Sequence, residues 1–111
     1  MAIIHIVHFG YTSDATKEQK RLVASAFLAL KDTCLKDGTK RPYIVNIAGG
    51  KNNSPEGQAH GLEQSFIVTF EDAQDRDYYV FEDPVHQEFK ALVGSSGLEQ
   101  SRVLDFEDGQ F

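Results

Sequence analysis

The length, composition and charge of the chain exclude several classes of protein. Its 111 residues, 41% of them hydrophobic, fit one globular domain with a single core and contain no run as long as the roughly 18 apolar residues of a membrane span. Seventeen acidic against eleven basic residues disfavour a nucleic-acid partner or an anionic membrane surface, and one cysteine excludes an internal disulfide or a cysteine-based metal centre.

Residues 2–9 predict a strand at the centre of a sheet. Alternation places two largely apolar sets on opposite faces: Ile3, His5, Val7 and Phe9 on one, and Ile4, Ile6 and His8 on the other. A strand covered on one side alternates apolar with polar residues, so we expect both faces of this strand to be covered.

The segment also lacks a basic leader and a cleavage site, and we therefore expect an intracellular, cytoplasmic protein.

A long amphipathic helix is predicted next. Thr16 and Gln19 have the spacing of a capping box, which marks a helix start. Apolar residues then recur at helical spacing as far as Gly38, and they are Leu22, Val23, Ala26, Phe27, Leu30 and Cys34. We expect Cys34 to pack in the core on this helix.

Two strands separated by a loop follow. Pro42 opens a short strand over 43–48 that ends at Gly49-Gly50, and residues 51–57 are dense in turn-forming types. A third strand is predicted over 63–70. One of its faces is strongly apolar and consists of Phe66, Val68 and Phe70.

The C-terminal third predicts two helical segments and a strand. Residues 73–81 have helical spacing, the pattern breaks around Asp83-Pro84, and it resumes as far as Gly94. A turn over 95–97 then leads into the last strand, Leu98 to Phe106.

The resulting order, β-α-β-β-α-β, is that of an α+β, ferredoxin-like fold forming a single domain over residues 1–111. Such a fold has a four-stranded antiparallel sheet with its helices on one face. The other face would expose more apolar surface than a soluble monomer usually tolerates, and a second copy packed across a two-fold axis would cover it. We therefore expect a homodimer.

His86 is the first candidate for chemistry. Asp83 followed by Pro84 is a strong helix start, because Asp83 can accept from free backbone N–H groups and Pro84 has no N–H to leave unpaired. His86 is then third in the helix, where the positive end of the helix dipole favours the neutral imidazole of a general base. The alternative is that His86 only packs or hydrogen-bonds at a helix end.

Four segments together resemble the stress-responsive dimeric α/β barrel (A/B barrel) family. They are residues 4–9, the loop 50–57, residues 66–70, and Tyr79 followed by Asp83-Pro84-Val85-His86. The resemblance implies two ferredoxin-like protomers packed sheet against sheet, with a pocket in each between helices and sheet. Some relatives are known only as stress-induced or stress-tolerance proteins. Others, including a plant polyketide cyclase, close a linear polyketide by an aldol reaction.

The resemblance also implies roles for three residues. His86 matches the family's histidine base, Tyr79 the assisting tyrosine, and His5 a first-strand histidine that lines the pocket. Counting forward from the third strand selects Tyr79, whereas counting back from Pro84 selects Val80 instead. In the catalytic hypothesis the imidazole removes a proton next to a carbonyl, and the phenol hydrogen-bonds the developing enolate oxygen.

Five further residues are expected to contact a ligand, and no metal site is expected. The expected ligand contacts are apolar or aromatic, namely Val7, Phe9, Tyr78, Phe81 and Phe89. Tyr78 stays an alternative to Tyr79 as the pocket tyrosine. We expect no cofactor and no metal, because His5 and His8 point to opposite faces of a strand and Gly49-Gly50-Lys51 lacks the spacing of a phosphate loop.

Three hypotheses for function stay open. In the first, a homodimeric barrel binds a hydrophobic or aromatic small molecule in each protomer, without an assigned reaction. In the second, a polyketide cyclase-like enzyme uses His86 as base and Tyr79 as acid, with His5 orienting the substrate. In the third, the protein is a structural stress-tolerance oligomer that binds no ligand.

Overall fold

Seven helices and strands follow one another in the order that the sequence predicts. The computed structural model describes all residues, Met1–Phe111, and its elements are β1 (Ile3–Tyr11), α1 (Lys17–Thr33), β2 (Ile44–Lys51), β3 (Gln64–Phe70), α2 (Ala73–Phe81), α3 (Pro84–Gly94) and β4 (Leu98–Phe106). The strands form one antiparallel sheet in the order β2-β3-β1-β4, so β1 is central as predicted. This is the ferredoxin-like plan, with the second helical region divided at Asp83. None of the helices combines the length and apolarity needed to cross a bilayer.

The three helices cover one face of the sheet, which we call the inner face. α1 packs on β2, α2 packs on β1 and β3, and α1 contacts α3. Phe27 of α1 stacks on Phe66 of β3 with ring centroids 4.2 Å apart, and Tyr79 of α2 packs against Phe70 at 5.1 Å. The inward residues of β1 are all buried, and they are Ile3, His5, Val7 and Phe9.

The opposite, outer face of the sheet carries an apolar stripe that no helix covers. Ile6 of β1 lies opposite Ile67 on β3 and Leu104 on β4, and Ile4 lies opposite Phe106. Directly opposed residues share a face, so these five side chains form one surface. Ile67, Leu104 and Phe106 are exposed by 43%, 65% and 45%. This is the face that the sequence predicts to pair with a second copy.

The first helix ends earlier than predicted. α1 stops at Thr33, Cys34 adopts an extended backbone, and Leu35 forms an isolated β-bridge with Pro42. The bridge pairs Leu35 with the segment that leads into β2. The helix therefore does not continue to Gly38, the end that the spacing of the apolar residues predicts. Cys34 is fully buried, but just beyond the helix, whereas Leu22 is half exposed although the pattern placed it on the buried face.

The second strand continues past its predicted end. Gly49 and Gly50 pair with Phe66 and Ser65, and β2 runs on to Lys51. Gly49 is required there because a Cβ atom would lie 2.3 Å from the Phe66 ring. The sequence predicts that the strand ends at the glycine pair, but the strand continues through it, and Gly49 admits a large aromatic side chain against the backbone.

Candidate functional site

A cavity of about 750 Å³ lies on the inner face of the sheet, between α2 and α3 on one side and β1 and β4 on the other. It remains open because no helix packs closely on β4. Its apolar wall is formed by Val7, Phe9, Phe27, Phe89, Val93 and Leu98. Phe81 and Val103, which are largely exposed, also line it. Three polar aromatic side chains face the same space: His5, Tyr79 and His86.

The start of α3 positions His86. Asp83 is fully buried and its carboxylate accepts hydrogen bonds from the backbone N–H groups of Val85 (2.9 Å) and His86 (3.4 Å). The hydroxyl of Tyr43 donates to the same carboxylate at 2.5 Å, and Pro84 occupies the first helical position. The cap predicted from the sequence is therefore present, and a tyrosine just before β2 holds it in place.

One hydrogen bond determines which nitrogen of His86 carries the proton. Nδ1 lies 2.7 Å from the backbone carbonyl oxygen of Tyr79. A carbonyl can only accept, so Nδ1 donates and Nε2 of the neutral ring keeps its lone pair. The ring also stacks on that of Tyr79, with centroids 3.7 Å apart and planes inclined by 16°.

His86 is neutral at physiological pH. Burial lowers its pKa to about 4, with smaller contributions in the same direction from Lys90 and His5, while the bond to the Tyr79 carbonyl opposes the shift. The direction agrees with the one expected from the helix dipole, but burial is the principal cause. A neutral imidazole can accept a proton, although a group with so low a pKa is a weak base.

Tyr79 lies at the centre of the aromatic cluster. It is 1% exposed, and its ring contacts those of His5, Phe70 and His86. Burial raises the pKa of its hydroxyl, and the nearby Cys34 and Asp83 add to the effect. Tyr79 therefore stays a neutral phenol, which is the form that can donate a hydrogen bond.

His5 belongs to a polar network that joins β1, β4 and α2. Its Nδ1 donates to Oδ1 of Asp105 at 2.7 Å, and Oδ2 of Asp105 accepts from a terminal nitrogen of Arg76 at 2.8 Å. Asp105 lies directly opposite His5 in the β1–β4 register. The carboxylate fixes the orientation of the His5 ring in the same way that the Tyr79 carbonyl fixes that of His86.

The other predicted contact residues divide into two groups. Val7, Phe9, Phe81 and Phe89 line the cavity. Tyr78 does not, since its ring packs edge to face against Tyr43 and lies under the ammonium of Lys36. These contacts direct the ring of Tyr78 away from the cavity, whereas Tyr79 lines it. Val80, the alternative to Tyr79 by counting, also lines it.

His8 lies outside the site. It is on the outer face of the sheet, where Nδ1 is 2.7 Å from the hydroxyl of Ser65. His5 and His8 therefore point to opposite faces, as the strand period predicts.

Comparison with known proteins identifies the family of the chain. A family model described as "Stress responsive A/B Barrel Domain" matches residues 3–108. The chain belongs to the stress responsive A/B barrel domain family. No curated protein matches its sequence.

Solved structures share the fold of this A/B barrel chain. A protein from Arabidopsis thaliana is 18% identical with a TM-score of 0.82, covering 98% of this chain and 97% of its own. The hydroxynitrile lyase from Passiflora edulis is 20% identical with a TM-score of 0.81, covering 99% and 96%. A dimeric ferredoxin-like protein of unknown function from Jannaschia sp. CCS1 is 19% identical with a TM-score of 0.74, covering 96% and 99%.

Four charged residues that line the cavity of this A/B barrel were not predicted from the sequence: Arg76, Asp77, Lys90 and Asp105. Lys90 follows His86 by four residues, so the helical period alone would have placed it on the same face of α3. Asp105 could not be assigned to His5 without the register of β1 and β4. Arg76 sits among acidic residues at the start of α2, a pattern typical of a solvated surface.

Proposed function

We propose that the protein binds a hydrophobic or aromatic small molecule in the cavity of each protomer of a homodimer. The observation that carries the proposal is an apolar cavity of about 750 Å³ into which a few oriented polar groups converge. Ligand sites have this composition, and their volumes are typically about 300–1,000 Å³. His86 offers an acceptor nitrogen and Tyr79 a donor, so a carbonyl or hydroxyl group on the ligand can be recognised.

The homodimer is supported by the outer face of the sheet. Its stripe of Ile4, Ile6, Ile67, Leu104 and Phe106 is apolar and lacks a cover within the chain. Solved structures of the same fold, from Jannaschia sp. CCS1 and from Thermobifida fusca, are described as dimeric. An isologous pairing of two such faces would bury the stripe.

Binding is tested with a neutral apolar fluorophore, N-phenyl-1-naphthylamine. Ser101 lies on the cavity wall, on the exposed edge strand β4, and Ser101→Trp fills part of the space without disturbing the core. We expect saturable binding to the native protein and a loss of at least about tenfold in affinity for this variant. The control is Ser54→Trp in the loop after β2, which does not line the cavity, and it should leave affinity within about twofold. If the fluorophore does not bind, the structural oligomer without a ligand becomes the better account.

A second candidate function is acid–base catalysis. The specific observation in its favour is the bond between His86 Nδ1 and the Tyr79 carbonyl, which reserves the lone pair of Nε2 for a substrate. In this hypothesis His86 is the base, Tyr79 donates to the developing oxyanion, and His5 orients the substrate. The polyketide cyclases of the family and the similarly folded Passiflora edulis hydroxynitrile lyase make such chemistry worth testing. A base with a pKa of about 4 limits the expected acceleration to the lower part of the usual ~10²–10⁴-fold range.

The catalytic candidate is tested with two substrates, a linear polyketide thioester and an aromatic hydroxynitrile. If either is turned over, His86→Gln should lower kcat by at least about a hundredfold while the affinity for N-phenyl-1-naphthylamine stays within about threefold. Turnover that survives this substitution would exclude His86 as the base. A parallel loss of fluorophore binding would instead show that His86 only shapes the cavity.

A further inference from the structure

Four charged side chains line the cavity: Arg76, Asp77, Lys90 and Asp105. Three of them are bound to one another, since Nε of Arg76 contacts Asp77 at 2.7 Å and a terminal nitrogen contacts Asp105 at 2.8 Å. This cluster of one guanidinium and two carboxylates carries one formal negative charge. Lys90 is the only charged group of the cavity that takes part in no ion pair.

The ammonium of Lys90 has hydrogen-bonding capacity to spare. Its Nζ donates to the backbone carbonyl of Val80 at 3.3 Å, and the side-chain amide of Gln87 donates to the same oxygen at 3.3 Å. An ammonium has three donors, so two are free for another partner. If Lys90 turned toward a ligand, the carbonyl oxygen of Val80 would still accept the hydrogen bond from Gln87.

Lys90 is placed to act on a ligand next to His86. The two residues are four apart on α3, so their side chains lie on one face of the helix, and both line the cavity. The positive charge of Lys90 is also one of the causes that lower the pKa of His86. An anion bound to Lys90 would therefore lie within electrostatic reach of the imidazole.

We infer that Lys90 makes the cavity selective for ligands that carry an anionic group, such as a carboxylate or sulfonate, on an apolar body. The inference rests on the proposed binding function. The anionic group lies at α3, while the apolar body faces Phe9, Phe27 and Phe89, away from the negative cluster around Arg76. The protein has a net charge of −6, so the ammonium of Lys90, which no carboxylate neutralises, is the group of the cavity that can attract an anion.

A purely structural role for Lys90 makes a different prediction. In that role Lys90 only hydrogen-bonds the carbonyl oxygen of Val80 near the end of α2. Lys90→Gln, which keeps a donor but removes the charge, should then affect the affinity for all ligands equally or for none. If Lys90 recognises an anion, the same substitution affects anionic ligands alone. Lys90→Arg keeps the charge and should preserve binding of both kinds.

The experiment compares two probes with a common anilinonaphthalene body, anionic 8-anilinonaphthalene-1-sulfonate and neutral N-phenyl-1-naphthylamine, on the full chain. We expect Lys90→Gln to weaken the sulfonate about tenfold and the neutral probe less than about twofold, since one charged contact is lost. Added salt should weaken only the sulfonate. The control, Lys17→Gln, removes the same charge from an exposed, unpaired lysine at the start of α1 and should change neither affinity. Ser101→Trp should weaken both probes, which locates them in the cavity.

The outcomes separate the inference from the function on which it rests. If the neutral probe binds and Lys90→Gln leaves the sulfonate unchanged, or weakens both probes equally, the inference is wrong and the binding function stands. If neither probe binds the native protein, the binding function fails and the inference with it. Sulfonate binding that persists unchanged in Ser101→Trp occurs outside the cavity and also overturns the inference.

Discussion

The inner face of the sheet has two halves, and they differ in how completely the helices cover them. Under α1 the half formed by β2 and β3 is closed: Val23 and Val68 are fully buried and Phe27 stacks on Phe66. Beside β4 the other half is open and holds the cavity. The helix break at Asp83 separates α2 from α3 and orients His86. The packed half supplies stability, and the open half holds the proposed ligand site.

The largest expected effect is a difference in the cost of truncation between the two halves. Phe66→Ala removes a ring that is 1% exposed and should lower the free energy of unfolding by about 3–5 kcal/mol. Val103→Ala in the open half, where the side chain is 54% exposed, should cost less than about 1 kcal/mol. Urea denaturation at one fixed protein concentration measures both, because a dimer's stability depends on concentration. Equal costs would contradict the division of the inner face.

The second effect is a pH dependence that originates in the open half. The pKa of His86 is about 4 in the folded protein against 6.5 for an unperturbed histidine, so the unfolded chain binds more protons between these values. The contribution of His86 to stability is therefore complete above about pH 6.5 and is lost as the pH falls toward 4, by at most about 3 kcal/mol.

Subtracting the curve of a variant isolates that contribution from those of other titrating groups. The difference in the free energy of unfolding between the native protein and His86→Gln should decline from pH 7 to pH 4. Asn53→Gln, at an exposed loop position without a titrating side chain, is the control and should give a flat difference. A flat difference for His86→Gln as well would show that its imidazole is not buried in solution.

The smallest expected effect concerns the polar network at the edge of the cavity. Asp105→Asn weakens the link from Arg76 to His5, and both members of the ion pair are about a quarter exposed, so we expect a loss of about 1 kcal/mol. Glu18→Gln breaks the largely exposed pair with Arg21 and should have no measurable effect. If the two variants behave alike in thermal unfolding, the network contributes nothing beyond an ordinary surface pair.

The features predicted well from the sequence are those determined by near neighbours in the chain. Asp83 and Pro84 carry their own start signal, and α3 begins where they predict. The two-residue period of β1 correctly separated His5 from His8. The order of elements followed from such local signals, and with it the ferredoxin-like fold.

The features that were missed depend on contacts between distant segments. The end of α1 is determined by the bridge from Leu35 to Pro42. The continuation of β2 through Gly49 depends on the ring of Phe66, which packs against the glycine from the neighbouring strand. The pairing of Asp105 with His5 requires the strand register, because the two residues are a hundred positions apart. Helical spacing shows which residues of α2 share a face but not which face packs inward, so Tyr78 and Tyr79 could not be distinguished.

A nuclear magnetic resonance titration with N-phenyl-1-naphthylamine tests most directly whether the open half of the inner face binds a ligand. In a backbone amide spectrum we expect saturable shifts along α3 and β4, centred on Phe89, Val93 and Ser101, and no shifts in the loop around Ser54. Shifts confined to the outer face, around Ile67 and Leu104, or no saturable shifts at all, would contradict the account.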